Sequence, residues 1–237
     1  MSYKGFKDPT ILDLCGGTGA WSRPWQDAGF NVVVVTLPKY DVQWKGFGNY
    51  AMEFFRQDVH WRESRTVLYE DVYGILAAPP CTEFSVAKNG QSRDLGKVME
   101  LVQACLRIIW ETQKHTKLAF WALENPRGLL RRFLGRPYYT FEQWQYGEQT
   151  VKPTDVWGWF NKPAPTVKVK PECPTTRFPN GRANARDWGK VNYPNEYSEY
   201  MNKLDGYDAK RAAARAITPA GFAEAFYKAN KPREKRK

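Results

Sequence analysis

Thr10–Gly19 reads TILDLCGGTG, and this stretch decides the fold. Thr10–Leu14 has the length and apolar character of a short buried strand, and it runs directly into a glycine-rich turn. Trp21–Ala28 then reads as a helix and Asn31–Val35 (NVVVV) as a second, β-branched strand. Strand, turn, helix and strand in that order make the repeating unit of a parallel sheet. Further along, Val72–Ala78 (VYGILAA) is a strand stopped by Pro79-Pro80. Leu95–Glu111 places Val98, Leu101, Val102, Cys105, Leu106 and Ile109 at helical spacing. Phe120–Leu123 is a strand ending at Glu124-Asn125-Pro126. Tyr138–Trp144 and Asp155–Phe160 read as later strands of a hairpin. The expected fold is therefore α/β, a doubly wound and mostly parallel sheet. Tyr40–Asp71, rich in aromatics, carries no pattern that assigns it.

The chain has 237 residues, with 36 Lys+Arg against 25 Asp+Glu and a net charge of +11. A hydrophobic fraction of 42% with 15% aromatics supports a buried core and excludes whole-chain disorder. No apolar run approaches the ~18–20 residues of a membrane span, and the longest purely aliphatic stretch is Val32–Val35. The opening MSYKGFKDPT lacks the apolar core of a secretory signal, so a cytoplasmic protein is expected. Cys15, Cys81, Cys105 and Cys173 show no paired metal-ligand spacing, which predicts free thiols and no metal.

Composition shifts near Asn161. Residues 1–160 are expected to form the α/β core. Residues 161–216 form a small, irregular, Pro-rich basic insertion, and Phe160–Ala216 carries 11 basic and 6 acidic residues. Residues 217–230 contain a helix read as Thr218–Ala229, with Thr218 as N-cap, Pro219 in the first turn, and Phe222, Ala225 and Phe226 on one face. Residues 231–237 read as a disordered basic tail, and Lys228–Lys237 holds six basic residues and one acidic. Most of the excess charge thus lies outside the sheet, which points to a polyanionic partner.

Three constellations carry chemistry. Asp13-Leu14-Cys15-Gly16-Gly17-Thr18-Gly19 follows a strand, where glycines let backbone approach a ligand; a tight β–α connection is the alternative. It is not the dinucleotide pattern G-x-G-x-x-G. Pro79-Pro80-Cys81 puts a thiol at the strand end where open α/β sheets bind ligands, either as nucleophile or as a packing cysteine in a rigid loop. Cys105, on an apolar helical stripe, reads as core. Glu124-Asn125-Pro126 offers a carboxyl on the same sheet edge; its alternative is a helix start with Asn125 as cap and Pro126 in the first turn.

In this order, DLCGGTGAWS, APPCTEFS, ALENPRG and TPAGFAEAF resemble the C5-cytosine DNA methyltransferases, most closely the short forms of bacteriophages and prophages. The resemblance runs from Ile11 to Asn230. It implies a Rossmann-like, S-adenosylmethionine-dependent methyltransferase acting on DNA, as a duplex with a flipped cytosine or as a single strand, and a monomer. Cys81 would be the nucleophile with Pro80 stiffening its approach, Glu124 the donor to the base with Asn125 and Pro126 fixing its loop, and Lys152 a cation beside the base. Asp13, Cys15, Gly16, Gly17, Thr18, Gly19, Trp21, Asp41, Asp58, Pro79, Thr218 and Gly221 would hold the cofactor. Phe222 reads equally as a cofactor contact or core. Ser85, Arg127, Arg177, Arg182, Arg186 and Lys190, with Trp188, would meet nucleic acid.

The chain also departs from that pattern. Relatives place an acid directly after the second strand to hold the cofactor ribose, whereas here the residues are Thr36-Leu37-Pro38 and the nearest acid is Asp41. In place of a glutamine and two spaced arginines stand Gln145-Tyr146-Gly147 and Lys152-Pro153-Thr154-Asp155. Residues 161–216 are short for a target-recognition domain. Two other readings keep part of the pattern. One uses the same fold and thiol with a cofactor analogue or on deoxycytidine nucleotides. The other is a non-catalytic DNA-binding homologue.

Overall fold

The structure, a computed structural model, describes residues 7–57, 63–85, 88, 90–148, 152–170, 197–206, 210, 213, 214 and 216–232. Its centre is a six-stranded sheet. In chain order the strands are β1 (Thr10–Leu14), β2 (Asn31–Val35), β6 (Val72–Ala77), β7 (Phe120–Pro126), β8 (Tyr139–Glu142) and β9 (Pro153–Trp159). In space they lie β2-β1-β6-β7-β9-β8. The first four run parallel, and β9 is antiparallel to both β7 and β8. This is the mostly parallel α/β sheet that the strand-turn-helix pattern predicts.

Tyr40–Asp71 is the part that the pattern left open. It forms β3 (Tyr40–Phe47), β4 (Ala51–Arg56) and β5 (Ser64–Leu68), a separate antiparallel three-stranded sheet. Met52 and Phe54 alternate inward on β4, and Gly48 closes the β3–β4 turn by donating to Ala51 O at 2.9 Å.

Alternate residues of the central strands face opposite layers. On one face Leu12, Leu14, Ile75, Ala77 and Leu123 pack with α2 (Leu95–His115) and the three-stranded sheet. On α2, Val98, Val102, Cys105 and Ile109 are buried at helical spacing, and Asp94 caps its start by accepting from Lys97 N at 3.0 Å. On the other face Ile11, Leu76, Phe120 and Ala122 pack with α1 (Arg23–Asp27) and the C-terminal helix, labelled α5 below (Ala220–Asn230). The first helix is thus shorter than Trp21–Ala28. Aromatic rings fill this layer. Trp25 stacks on Phe120 at 5.0 Å, Phe222 on Phe141 at 4.0 Å, and Trp21 meets Phe226 edge-on at 5.4 Å. Phe222 is fully buried there. Two shorter helices are α3 (Arg131–Leu134) and α4 (Ser198–Asn202). Among the described residues no helix is long and apolar enough to cross a membrane.

Two expectations change at the C-terminal helix. Its N-cap is Pro219, with no side-chain capping bond, so Thr218 is not the cap. Gly221 is a packing residue: a Cβ there would overlap the carbonyl oxygen of Tyr146, in the 3₁₀ turn Gln143–Tyr146. Gly221→Ala should therefore cost about 1–3 kcal/mol of stability, read by urea unfolding.

Candidate active site

The C-terminal ends of β1, β6 and β7 open on one cavity. This is the edge where open α/β sheets bind ligands. From β1 and its turn come Asp13, Cys15, Gly16, Gly17, Thr18 and Trp21. From the turn after β6 come Pro79, Pro80 and Cys81. Glu124 enters from β7, Lys152 from just before β9, and Thr218 from just before α5. Residues as far apart as Asp13 and Thr218 thus meet on one wall, and Asp13, Cys81 and Glu124 do so because their parallel strands all end on the same side.

Asp13 is fully buried beneath the glycine turn and accepts from Ser22 Oγ at 2.6 Å. Gly16 lies directly over its carboxyl group, where any Cβ would collide. Burial pushes the Asp13 pKa up to about 6, with the Ser22 hydrogen bonds pulling the other way. Its Oδ1 and the Trp21 Nε1 are buried without a hydrogen-bond partner, and both residues line the cavity.

The half-buried Cys81 sits in a tightly laced turn. Phe84 N and Ser85 N donate to Cys81 O at 3.0 and 2.9 Å, and Leu129 N donates to Phe84 O at 2.9 Å. Arg93 donates to the carbonyls of Glu83 and Ser85, the latter at 3.0 Å. Glu83 pairs with Lys88 and accepts from Asp94 N at 2.9 Å, tying the turn to the start of α2. Glu124 faces the cavity from the other strand. Burial raises its pKa, the charge of Lys152 opposes the shift, and Asp155 adds to it.

A family model for C-5 cytosine-specific DNA methylases matches residues 9–147. The chain belongs to that family. The matched span carries Asp13, Cys81 and Glu124 and ends before Lys152, α4 and α5. No curated protein matches the chain.

In this methylase Glu124-Asn125-Pro126 is not a helix start. All three residues belong to β7 and pair with Val156, Asp155 and Thr154 of β9. Asn125 lies behind the cavity, fully buried, and its Nδ2 donates to Pro79 O at 2.9 Å. Beside it, buried Asp155 takes both arms of Arg131 at 2.6 Å and the Thr140 hydroxyl at 2.8 Å. Sequence reasoning passed over this clamp; an acid in the middle of an apolar strand was its only signal.

Other expected site residues fall elsewhere. Gly19 closes the turn by donating to Gly16 O at 2.9 Å, and Gly221 packs on Tyr146, so neither lines the cavity. Asp41 lines an adjoining chamber, its carboxylate accepting from Gln43 N at 2.9 Å and Gln57 Nε2 at 3.4 Å. Ser85 bridges to Gly128, and Arg127 is exposed just beyond β7. Asp58, Arg177, Arg182, Arg186, Trp188 and Lys190 lie outside the described residues. Among the described residues no cluster of His, Cys, Asp or Glu could hold a metal ion.

The shift at Asp13 has a definite sign. Its folded-state pKa of about 6 stands above the ordinary aspartate value of 3.8, so the folded chain holds a proton that the unfolded chain has lost between those values. Stability then falls as pH rises across that window. Urea unfolding should show the wild type losing about 2 kcal/mol between pH 4.5 and 7 relative to Asp13→Asn. Parallel pH profiles for the two proteins would refute the assignment.

Proposed function

We propose that the protein transfers a methyl group from S-adenosylmethionine to C5 of cytosine in DNA through a covalent adduct at Cys81. One observation carries this reading: the Cys81 thiol, the Glu124 carboxyl and the Asp13 turn open on one cavity. The donor fits that wall. The α-ammonium of an amino acid would satisfy the orphaned Asp13 Oδ1, and its carboxylate would accept from Trp21 Nε1. S-adenosylmethionine supplies an electrophilic methyl group.

The chain's own residues do the rest. Cytosine C5 is a weak nucleophile until the ring's aromaticity is broken. The Cys81 thiolate adds at C6, and C5 becomes the carbon of an enamine. Glu124 in its protonated form donates to cytosine N3 and stabilises the charge that develops during addition. Burial raises its pKa and thus favours that form. After methylation at C5, loss of the C5 proton re-forms the ring double bond and expels the Cys81 thiolate. The target base must leave the helix stack to enter a cavity of this kind. Lys152, at the mouth with Glu124, and Arg127 beyond it would meet the base and its phosphate. The basic residues Arg177, Arg182, Arg186 and Lys190 extend that contact, with residues 161–216 standing in place of a larger recognition domain.

Incubation with labelled S-adenosylmethionine and duplex DNA should leave label in DNA for the wild type and none for Cys81→Ser. A 5-fluorocytosine oligonucleotide should trap a covalent adduct at Cys81. Label confined to deoxycytidine nucleotides would move the substrate from polymer to monomer, and DNA retention without label or adduct would remove the catalytic reading. Glu124→Gln should lower kcat by about 10²–10³-fold. The amide donates at every pH, so the variant should also lose the alkaline fall in rate that deprotonation of Glu124 causes in the wild type.

A further inference from the structure

The cavity holding Cys81 joins a second chamber, and Cys15, Gly17, Pro80, Cys81 and Tyr200 line both. The second chamber is walled by Val35, Leu37, Pro38, Val42, Leu101 and Leu204, surfaces that suit a flat heteroaromatic ring. The first also holds the carboxyl groups of Asp13 and Glu124. A ligand joining an amino acid to a purine, as in the donor proposed above, would lie across both chambers with its ribose at the waist between them.

Tyr200 stands at that waist. It comes from α4, in the basic segment that the sequence assigns to nucleic acid. Its hydroxyl lies 3.7 Å from the point a Gly17 Cβ would occupy and is hydrogen-bonded to Thr36. Thr36 Oγ1 in turn accepts from Gly17 N at 3.3 Å. Thr36 directly follows β2, and no carboxylate accompanies it there. Both oxygens of the nearest acid, Asp41, are engaged with Gln43 and Gln57. Beside that acid, Tyr200 and Thr36 offer hydroxyls.

We infer that Tyr200, together with Thr36, hydrogen-bonds the ribose hydroxyls of the cofactor. The role usually given to an acid at the end of the second strand is thereby divided between that strand and a later helix. The inference rests on the S-adenosylmethionine reading. It also gives part of residues 161–216 a task in cofactor binding as well as any task on DNA.

Isothermal titration with S-adenosylhomocysteine and with its deoxyribose analogues, lacking the 2′- or the 3′-hydroxyl, tests it. Wild type should favour the ribose ligand over at least one analogue. Tyr200→Phe should bind S-adenosylhomocysteine about five- to tenfold more weakly and discriminate less against that analogue. Thr36→Val should behave in the same way. An unchanged ribose preference in Tyr200→Phe, whatever its overall affinity, overturns the inference and leaves the donor assignment standing. Wild type that binds no S-adenosylhomocysteine overturns both. The thermal midpoint of ligand-free Tyr200→Phe should fall by only about 2–4 °C, the loss of the one hydrogen bond to Thr36, which separates ligand contact from a packing role.

Discussion

The hydrogen bond from Asn125 Nδ2 to Pro79 O joins the two halves of the catalytic wall. Loops leaving neighbouring parallel strands are free to splay, and a Pro-Pro turn has two fewer backbone N–H groups with which to fasten itself. The Asn125 amide fastens it from the side. Asn125 is itself immobilised because β7 is zipped to β9 through Pro126, and because Asp155, opposite it, is gripped by Arg131 and Thr140. The spacing between Cys81 and Glu124 therefore depends on a chain of supports that starts well behind the cavity. A buried amide using one of its two ends is expensive, since Asn125 Oδ1 finds no partner.

The same desolvation acts on two carboxyls with different results. Asp13 is sealed under Gly16 and has one hydroxyl donor. Glu124 looks into the cavity and feels a lysine, so its protonation is open to whatever enters. One acid is buried for shape and charge at the turn, and the other is held ready to give up a proton. In both cases the folded chain carries a strain on its ionisation that a well-packed apolar residue would not impose.

Much of this was legible in the sequence because the informative residues sit where chain direction and chemistry coincide. TILDL, VYGILAA and FWAL are apolar runs ended by glycine or proline, and each ending delivers a reactive side chain to the sheet edge. The antiparallel β3–β5 sheet was hidden because its aromatics occupy both exposed and buried positions, as Trp44 and Phe54 illustrate, which blurs the two-residue period. Asn125 read as a helix cap because Asn-Pro has that local preference, and the pairing with β9 overrode it. The Arg131–Asp155 clamp and Tyr200 were out of reach for a simpler reason. Their partners lie 24 residues away in the first case and far earlier in the chain in the second, and no local pattern records such contacts.

The ring cluster beneath the sheet couples the two ends of the described chain, since Trp21 and Trp25 pack against Phe226 and Tyr227. Contacts of such separation close last and slowly, because the whole intervening chain must be ordered before they reward the loop entropy. On a ribosome the thiol turn and the carboxyl strand would emerge long before the helix that covers the other face of their sheet. Until that helix is made, the surface containing Phe120 and Ile11 would be covered from that side only in part, by the rings of Trp21 and Trp25. The catalytic residues are then already made while that face is still incompletely covered, and the helix Ala220–Asn230 completes its cover.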